Sequence, residues 1–199
     1  MPPWYAGRMS PGLVIPLLWV AWALSWLLAA GWSNATQKRA GLGRELGYRI
    51  VLAAGGILFA VPAHRYDGAL RLWHIGSAGA WACISAIAAG FAFCWWARVH
   101  LGRLWSGTIT KKEGHRIVDT GPYALVRHPI YTGLLLAIAA TMIAKGTILG
   151  IAGAVLLAAG IYIKARMEEQ WLRGELGADG YDEYRRRVPM LVPFGPKGR

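Results

Sequence analysis

The stretch TGPYALVRHPIYTG, Thr120 to Gly133, runs directly into the apolar sequence LLLAIAATMIA. An arginine, a histidine, a proline and two tyrosines therefore stand at the mouth of a long hydrophobic run. Pro129 suits the first turn of a helix, because the N–H that it lacks would find no acceptor there. A helix is thus expected to start at Pro129 and enter a membrane. His128 then sits at its N-terminus, where free N–H groups and the positive end of the helix dipole favour an anion such as a ligand carboxylate. Tyr123 and Tyr131 add rings beside it.

The rest of the chain agrees with a membrane setting. Of its 199 residues 55% are hydrophobic and only 16% charged, whereas a soluble domain carries about 25% charge. Five apolar segments read as helices: Gly12 to Trp32, Gly47 to Ala63, His74 to Ala97, Ile130 to Ala144 and Thr147 to Ala165. A spanning helix needs about 20 residues, usually ~17–25, so the fourth counts only with its N-terminal turn. Lys145-Gly146 between the last two predicts a tight helical hairpin. The expected fold is all-α and polytopic, with five transmembrane helices and a cytoplasmic helical cap at the C-terminus.

The net charge of +12 suggests nucleic acid until the basic residues are placed. With the N-terminus outside and the C-terminus cytoplasmic, only Arg8, Arg65, Arg71 and Lys145 of the 22 Lys and Arg fall in outer segments. That asymmetry satisfies the positive-inside rule, and basic inner loops meet anionic lipid. No nucleic-acid partner is expected. Lys38 and Arg39 follow the first apolar run and Arg8 alone precedes it, a stop-transfer pattern rather than a cleaved leader. Compact size and single-membrane topology point to a prokaryotic inner membrane.

Cys83 and Cys94 lie in one apolar segment, about 16 Å apart along a helix axis, too far for a disulfide. They read as inert buried thiols. No zinc spacing occurs, and no metal is expected. Small residues recur every four positions at Gly146, Gly150 and Ala154, and at Gly76 and Ala80, as helix-packing faces in lipid do. Most tryptophans, though not Trp19 and Trp22, fall near segment ends, where interfacial anchoring is the default.

Chemistry is expected in two polar regions on the cytoplasmic side, Arg98 to Pro129 and Lys164 to Arg199. The chain accordingly divides into three N-terminal membrane helices (1–97) and a region holding the candidate site (98–199). In the first polar region Thr110 to Gly114 looks like an exposed turn, and His115-Arg116-Ile117-Val118 suits a short extended piece. In the second, Lys164 and Glu168 share one helix face. On position alone, an interfacial lysine reaching water beside a routine ion pair explains them better than a site does. Glu168 and Glu169 lie near the membrane surface, where a cationic ligand group would give one of them a purpose. Together these residues suit a zwitterionic, ring-containing cofactor.

HRIVDTGPYALVRHPIYTG, a hairpin, and then MEEQWLRGELGADGYDEYRRRVPMLVP resemble the isoprenylcysteine carboxyl methyltransferase family of integral-membrane enzymes. The resemblance covers Leu101 to Pro193 and lies in the order and spacing of the blocks. It implies methyl transfer from S-adenosylmethionine to a substrate reached from the bilayer. It also implies a cofactor pocket of His115, Arg116, Ile117, Val118, Tyr123, His128, Pro129, Ile130, Tyr131 and Glu168, closed by Tyr181 to Val188. Lys164 and Glu168 would then be the catalytic pair. Lys164 stands where the family usually has an arginine attributed to substrate handling, and Arg166 is about 200° around the helix from it. Lysine keeps the charge without the bidentate grip on a carboxylate. That points away from a prenylated cysteine carboxylate and toward a small thiol, a lipid headgroup or another amphiphile. Two other readings compete. An NADPH-dependent membrane reductase of the sterol-reductase type has a similar Arg-His-Pro-x-Tyr block, but Glu168-Glu169 would oppose a 2′-phosphate. The other is a non-enzymatic scaffold or small transporter subunit; a transporter site would call for ionisable residues inside the spans, whose interiors are nearly free of charge.

Overall fold

The structure, a computed structural model, describes residues 10–39, 41–62, 70–112 and 117–198. Its helices are α1 (Pro11–Leu28), α2 (Leu42–Ala60), α3 (Ser77–Leu101), α4 (Pro122–Leu125), α5 (Pro129–Lys145), α6 (Ile148–Leu176) and α7 (Ala178–Arg187). Two strands, β1 (Thr36–Arg39) and β2 (Thr110–Lys112), pair antiparallel across an irregularity between Thr36 and Lys38. Short 3-10 turns extend α1 to Gly31 and α3 to Leu104.

Each expected apolar segment forms a helix over most of its described length, although α3 starts only at Ser77, after His74–Gly76. By length and composition, Pro11–Gly31, Ser77–Leu104 and Ile148–Glu175 are long and apolar enough to cross a membrane, and α5 is a shorter apolar helix. α2 carries Arg44, Glu45 and Arg49 near its start. α6 does not end at Ala165 but continues as one helix to Leu176, so its last three turns stand beyond the apolar part. The ribbon corrects an all-helical reading: Thr110–Lys112, expected as an exposed turn, is a strand because β1 lies alongside to take its backbone hydrogen bonds.

α3 packs on α5 and α2 on α6, at contacts that leave no room for a side chain. A Cβ on Gly90 would stand 2.5 Å from the Gly133 carbonyl oxygen, and one on Gly133 2.4 Å from that of Gly90. Gly153 meets α2 in the same way, 2.6 Å from the Phe59 nitrogen. These are not the glycines that the four-residue spacing singles out. Gly76 precedes α3 with nothing within 4 Å of it, and Gly146 ends α5 in the left-handed region at φ 60°. Spacing marks a helix face, but the partner decides which face is used. Ala154 is buried in the core with Phe59, Ile138 and Ile161.

The two ends of the bundle are distinct. At one, the Lys145 ammonium donates to the carbonyls of Phe59 and, at 2.7 Å, Val61. Leu72 donates to the Gly146 carbonyl at 2.7 Å and Ile148 to that of Leu70 at 3.0 Å. At the other end lie the ribbon, α4 and α7. There the buried Arg98 guanidinium sits between the rings of Trp32 and Trp105 at 4.9 and 4.5 Å, and donates to the carbonyls of Ala29, Trp32 and Gly102. It ties the end of α1 to the loop that leaves α3.

Candidate active site

The start of α5 is braced from outside its own helix. The amides of Arg127 and His128 donate to the carbonyls of Pro189 and Met190 at 2.9 and 3.1 Å. Pro129 occupies the first turn, as its chemistry favours, and His128 is the preceding residue. The histidine does not cap the helix with its side chain. Its ring lies flat against Tyr131, with centroids 5.4 Å apart and planes 9° from parallel. Its Nε2 is 3.3 Å from Glu169 Oε1 and its Nδ1 3.7 Å from Glu168 Oε2.

Neighbouring residues on a helix point about 100° apart, and that separates the two glutamates. Glu168 faces Tyr131, whose hydroxyl donates to Oε2 at 2.8 Å. Glu169 turns to the buried Arg127, whose Nε donates to Oε1 at 2.6 Å. Arg127 also donates to the carbonyls of Arg185, at 3.2 Å, and Val188. One guanidinium thus fastens the end of α7 to α6 and to the start of α5. Tyr181, Tyr184 and Val188 pack beneath it with Ile117 and Leu172, and the Tyr184 hydroxyl donates to the Tyr123 carbonyl at 2.7 Å.

Lys164, one turn before Glu168, makes no ion pair with it among the described residues. Its ammonium donates to the Gly107 carbonyl at 2.9 Å and lies 5.4 and 5.9 Å from the ring centres of Tyr131 and Tyr48. The expected exposed ion pair is therefore absent, and the cation is turned inward. Glu45 supports the same wall from α2: its carboxylate accepts from the Tyr48 hydroxyl and the Ile109 amide, each at 3.1 Å. Burial alone would raise this carboxyl. Hydrogen bonds from Arg49, Ile109 and Tyr48 outweigh it and hold the group below the usual carboxylate range. Burial pushes the phenols of Tyr123, Tyr181 and Tyr184 up, so all three are neutral at ordinary pH.

These side chains surround a cavity of about 410 Å³. Ile117, Val118, Tyr123, His128, Pro129, Ile130, Tyr131, Lys164 and Glu168 all line it, so the structure brings together every expected site residue that it describes. His115 and Arg116 lie outside the described residues. Glu168, His128 and Lys164 give the cavity its charged and ionisable groups, and Trp22, Trp26, Trp105 and Leu134 are among its apolar walls. Trp22 and Trp26 stack at 5.0 Å, and Trp26 meets Trp105 edge-on at 5.6 Å.

Trp26, Trp105 and Trp171, which fall nearer the segment ends, also line this cavity, so such a place does not by itself make a tryptophan an interfacial anchor. Trp22, which lies mid-segment, and Trp26 are four apart on one helix face. The division of labour between Glu168 and Glu169, and the part of Arg127, also went unread. Two adjacent acids give no sequence signal of which one faces inward.

The fold and the site define a helical integral membrane protein with a mainly apolar cavity at one end of its bundle, into whose wall Glu168, His128 and Lys164 are set. Residues 82–173 match the isoprenylcysteine carboxyl methyltransferase (ICMT) family. Methanethiol S-methyltransferase 2 of Bradyrhizobium diazoefficiens is 45% identical over 73 residues, 36% of this chain and 26% of that protein. Protein-S-isoprenylcysteine O-methyltransferase B of Arabidopsis thaliana is 34% identical over 87 residues, 43% of this chain and 44% of that protein. Protein-S-isoprenylcysteine O-methyltransferase of Schizosaccharomyces pombe is 30% identical over 103 residues, 50% of this chain and 43% of that protein. The chain thus spans less than half the length of each relative that it matches. The likeness to the isoprenylcysteine carboxyl methyltransferase family thus covers 92 of the chain's 199 residues.

Proposed function

We propose that the protein is an integral-membrane methyltransferase that uses S-adenosylmethionine and methylates a small acceptor, a thiol in the first instance. The observation that carries this reading is the single cavity in which the Glu168 carboxylate, the start of α5, the Lys164 ammonium and aromatic walls meet.

The residues present fit the cofactor. Tyr131 donates one hydrogen bond to Glu168, and a carboxylate has room for about four, so Glu168 retains capacity for an ammonium. The first-turn amides of α5 have no acceptor within their own helix and suit a carboxylate. Ile117, Val118, Trp171 and Leu172 offer apolar surface for an adenine ring. Bound there, S-adenosylmethionine supplies an electrophilic methyl on its sulfonium.

Lys164 acts on the acceptor. Two of its three N–H groups have no acceptor among the described residues, and a cation beside a thiol favours the nucleophilic thiolate. No separate general base is then required. Methyl transfer is a displacement in line, so the main task of the walls is to hold the reacting atoms in register. A volume of about 410 Å³ is toward the small end of ligand pockets, ~300–1,000 Å³, and the cofactor would take most of it. A small acceptor fits what remains, and the likeness to a methanethiol S-methyltransferase points the same way. Glu168 in the cavity wall opposes a 2′-phosphate and disfavours the NADPH-dependent reductase.

The same reading gives five spans, α1, α2, α3, α5 and α6, with α7 as a cytoplasmic cap, the N-terminus outside, and a prokaryotic inner membrane as the setting. Its test is transfer of labelled methyl from S-adenosylmethionine in lipid nanodiscs, with a short alkyl thiol and a prenylated cysteine offered in parallel. Labelled thioether from the thiol, and little ester from the cysteine, is the expected result. Ester alone would move the acceptor to the carboxylate class.

A further inference from the structure

We infer that the turn Leu191 to Gly195, after α7, is a membrane-seated anchor whose partner is the phospholipid bilayer in which the protein's own helices stand. Phe194 is 98% exposed, the most of any large apolar residue described, and Val192 beside it 64%. Phe194 adopts φ 61° and is the one non-glycine residue with positive φ among those described. A bulky side chain is an outlier in that region, and the glycine that would relieve it follows one position later, at Gly195. The strained backbone therefore holds a large ring away from the protein.

The turn is not a loose tail. Gly195 donates to the Val192 carbonyl at 2.9 Å, the Thr132 hydroxyl to that of Leu191 at 2.6 Å, and Gly198 to that of Arg185 at 2.9 Å. Pro189 and Lys197 face each other in an isolated antiparallel bridge across its base. Thr132 belongs to the first turn of α5, the level at which the chain passes from polar to apolar residues. An apolar turn fixed at that level faces the interface between headgroups and acyl chains.

Charge favours lipid as the occupant. From Val188 to Arg199 the chain has no acidic residue and carries Lys197 and Arg199, a composition that anionic headgroups attract. The strap before the turn pairs with the backbone of Arg127 and His128, so a turn seated in lipid would brace the start of α5. None of this rests on the identity of the cofactor or acceptor.

The test uses the full chain in nanodiscs of mixed phosphatidylcholine and phosphatidylglycerol, with an environment-sensitive fluorophore on Val192→Cys. The two native cysteines are buried in α3, and Glu183→Cys on α7 serves as the control position. Lipid carrying a nitroxide high on its acyl chain should quench the label at 192 at least threefold more than at 183. Adding Phe194→Asp should abolish the difference. Equal quenching at the two positions would overturn the inference, as would quenching at 192 that survives Phe194→Asp. So would a label shielded only at high protein concentration, which would assign the turn to a second copy of the chain.

Discussion

Replacing Arg127 with methionine isolates the clamp that holds the cap over the cavity. The Arg127 side chain is 4% exposed and that of its partner Glu169 6%, so the variant leaves a buried carboxylate with only His128 at 3.3 Å and Arg185 at 3.7 Å beside it, and takes the donor from the Val188 carbonyl, while the Arg185 carbonyl keeps the Gly198 amide. Removing one member of a buried ion pair costs about 3–5 kcal/mol. In a chain of this length 1 kcal/mol moves the melting temperature by about 2–4 °C, so the expected drop is on the order of 6–20 °C. Tryptophan fluorescence in nanodiscs at one fixed scan rate reads it. Limited proteolysis near Gly177, between α6 and α7, reports whether the cap has come loose. Arg127→Met combined with Glu169→Gln removes the stranded charge and should recover part of the loss, since contacting residues couple by about 0.5–3 kcal/mol. A drop below about 2 °C with the cap still protected, or losses that simply add in the double variant, would refute the clamp.

Other expectations are equally specific. Gly133→Ala places a Cβ 2.4 Å from the Gly90 carbonyl and 2.7 Å from Cys94 Sγ; overpacking of this kind costs about 1–3 kcal/mol. Gly56→Ala, with nothing within 4 Å, should leave thermal stability unchanged or raise it, and equal losses in the two variants would sink the close-contact argument. Glu45 has a depressed carboxyl, so its stabilising contribution is present above its unfolded value of 4.5 and is lost as pH falls through the lower folded value. Hydrogen exchange at the Ile109 amide should therefore quicken in acid, and Glu45→Gln should remove that dependence. Lys164→Met should shift the pH–rate profile of thiol methylation upward and lower turnover at neutral pH at least tenfold; an unchanged profile would remove Lys164 from the acceptor site.

Much of this was legible in the sequence because its signals are local. Pro129 marks the start of α5, the apolar runs mark the helices, and Lys145-Gly146 marks the hairpin. The grouping of Tyr123, His128, Tyr131 and Glu168 followed from block order. What escaped depends on partners distant in the chain. β2 forms because β1, more than seventy residues earlier, lies beside it. Gly90 and Gly133 matter because α3 happens to meet α5 there. Glu169 becomes a clamp only when α7 folds back and delivers the Arg185 and Val188 carbonyls to Arg127. The tryptophans near segment ends could not be sorted into anchors and cavity walls until the helices were placed around the cavity.

The most direct test of the cavity's assignment is calorimetric titration of the protein in nanodiscs with S-adenosylhomocysteine, NADPH in parallel, and Glu168→Gln as the comparison. Charge-assisted hydrogen bonds contribute about 1.5–3 kcal/mol, so the account predicts binding of the homocysteine compound that weakens by roughly 10- to 150-fold in Glu168→Gln, with no NADPH binding. Failure of the folded protein to bind S-adenosylhomocysteine, or binding that Glu168→Gln leaves unchanged, would contradict it.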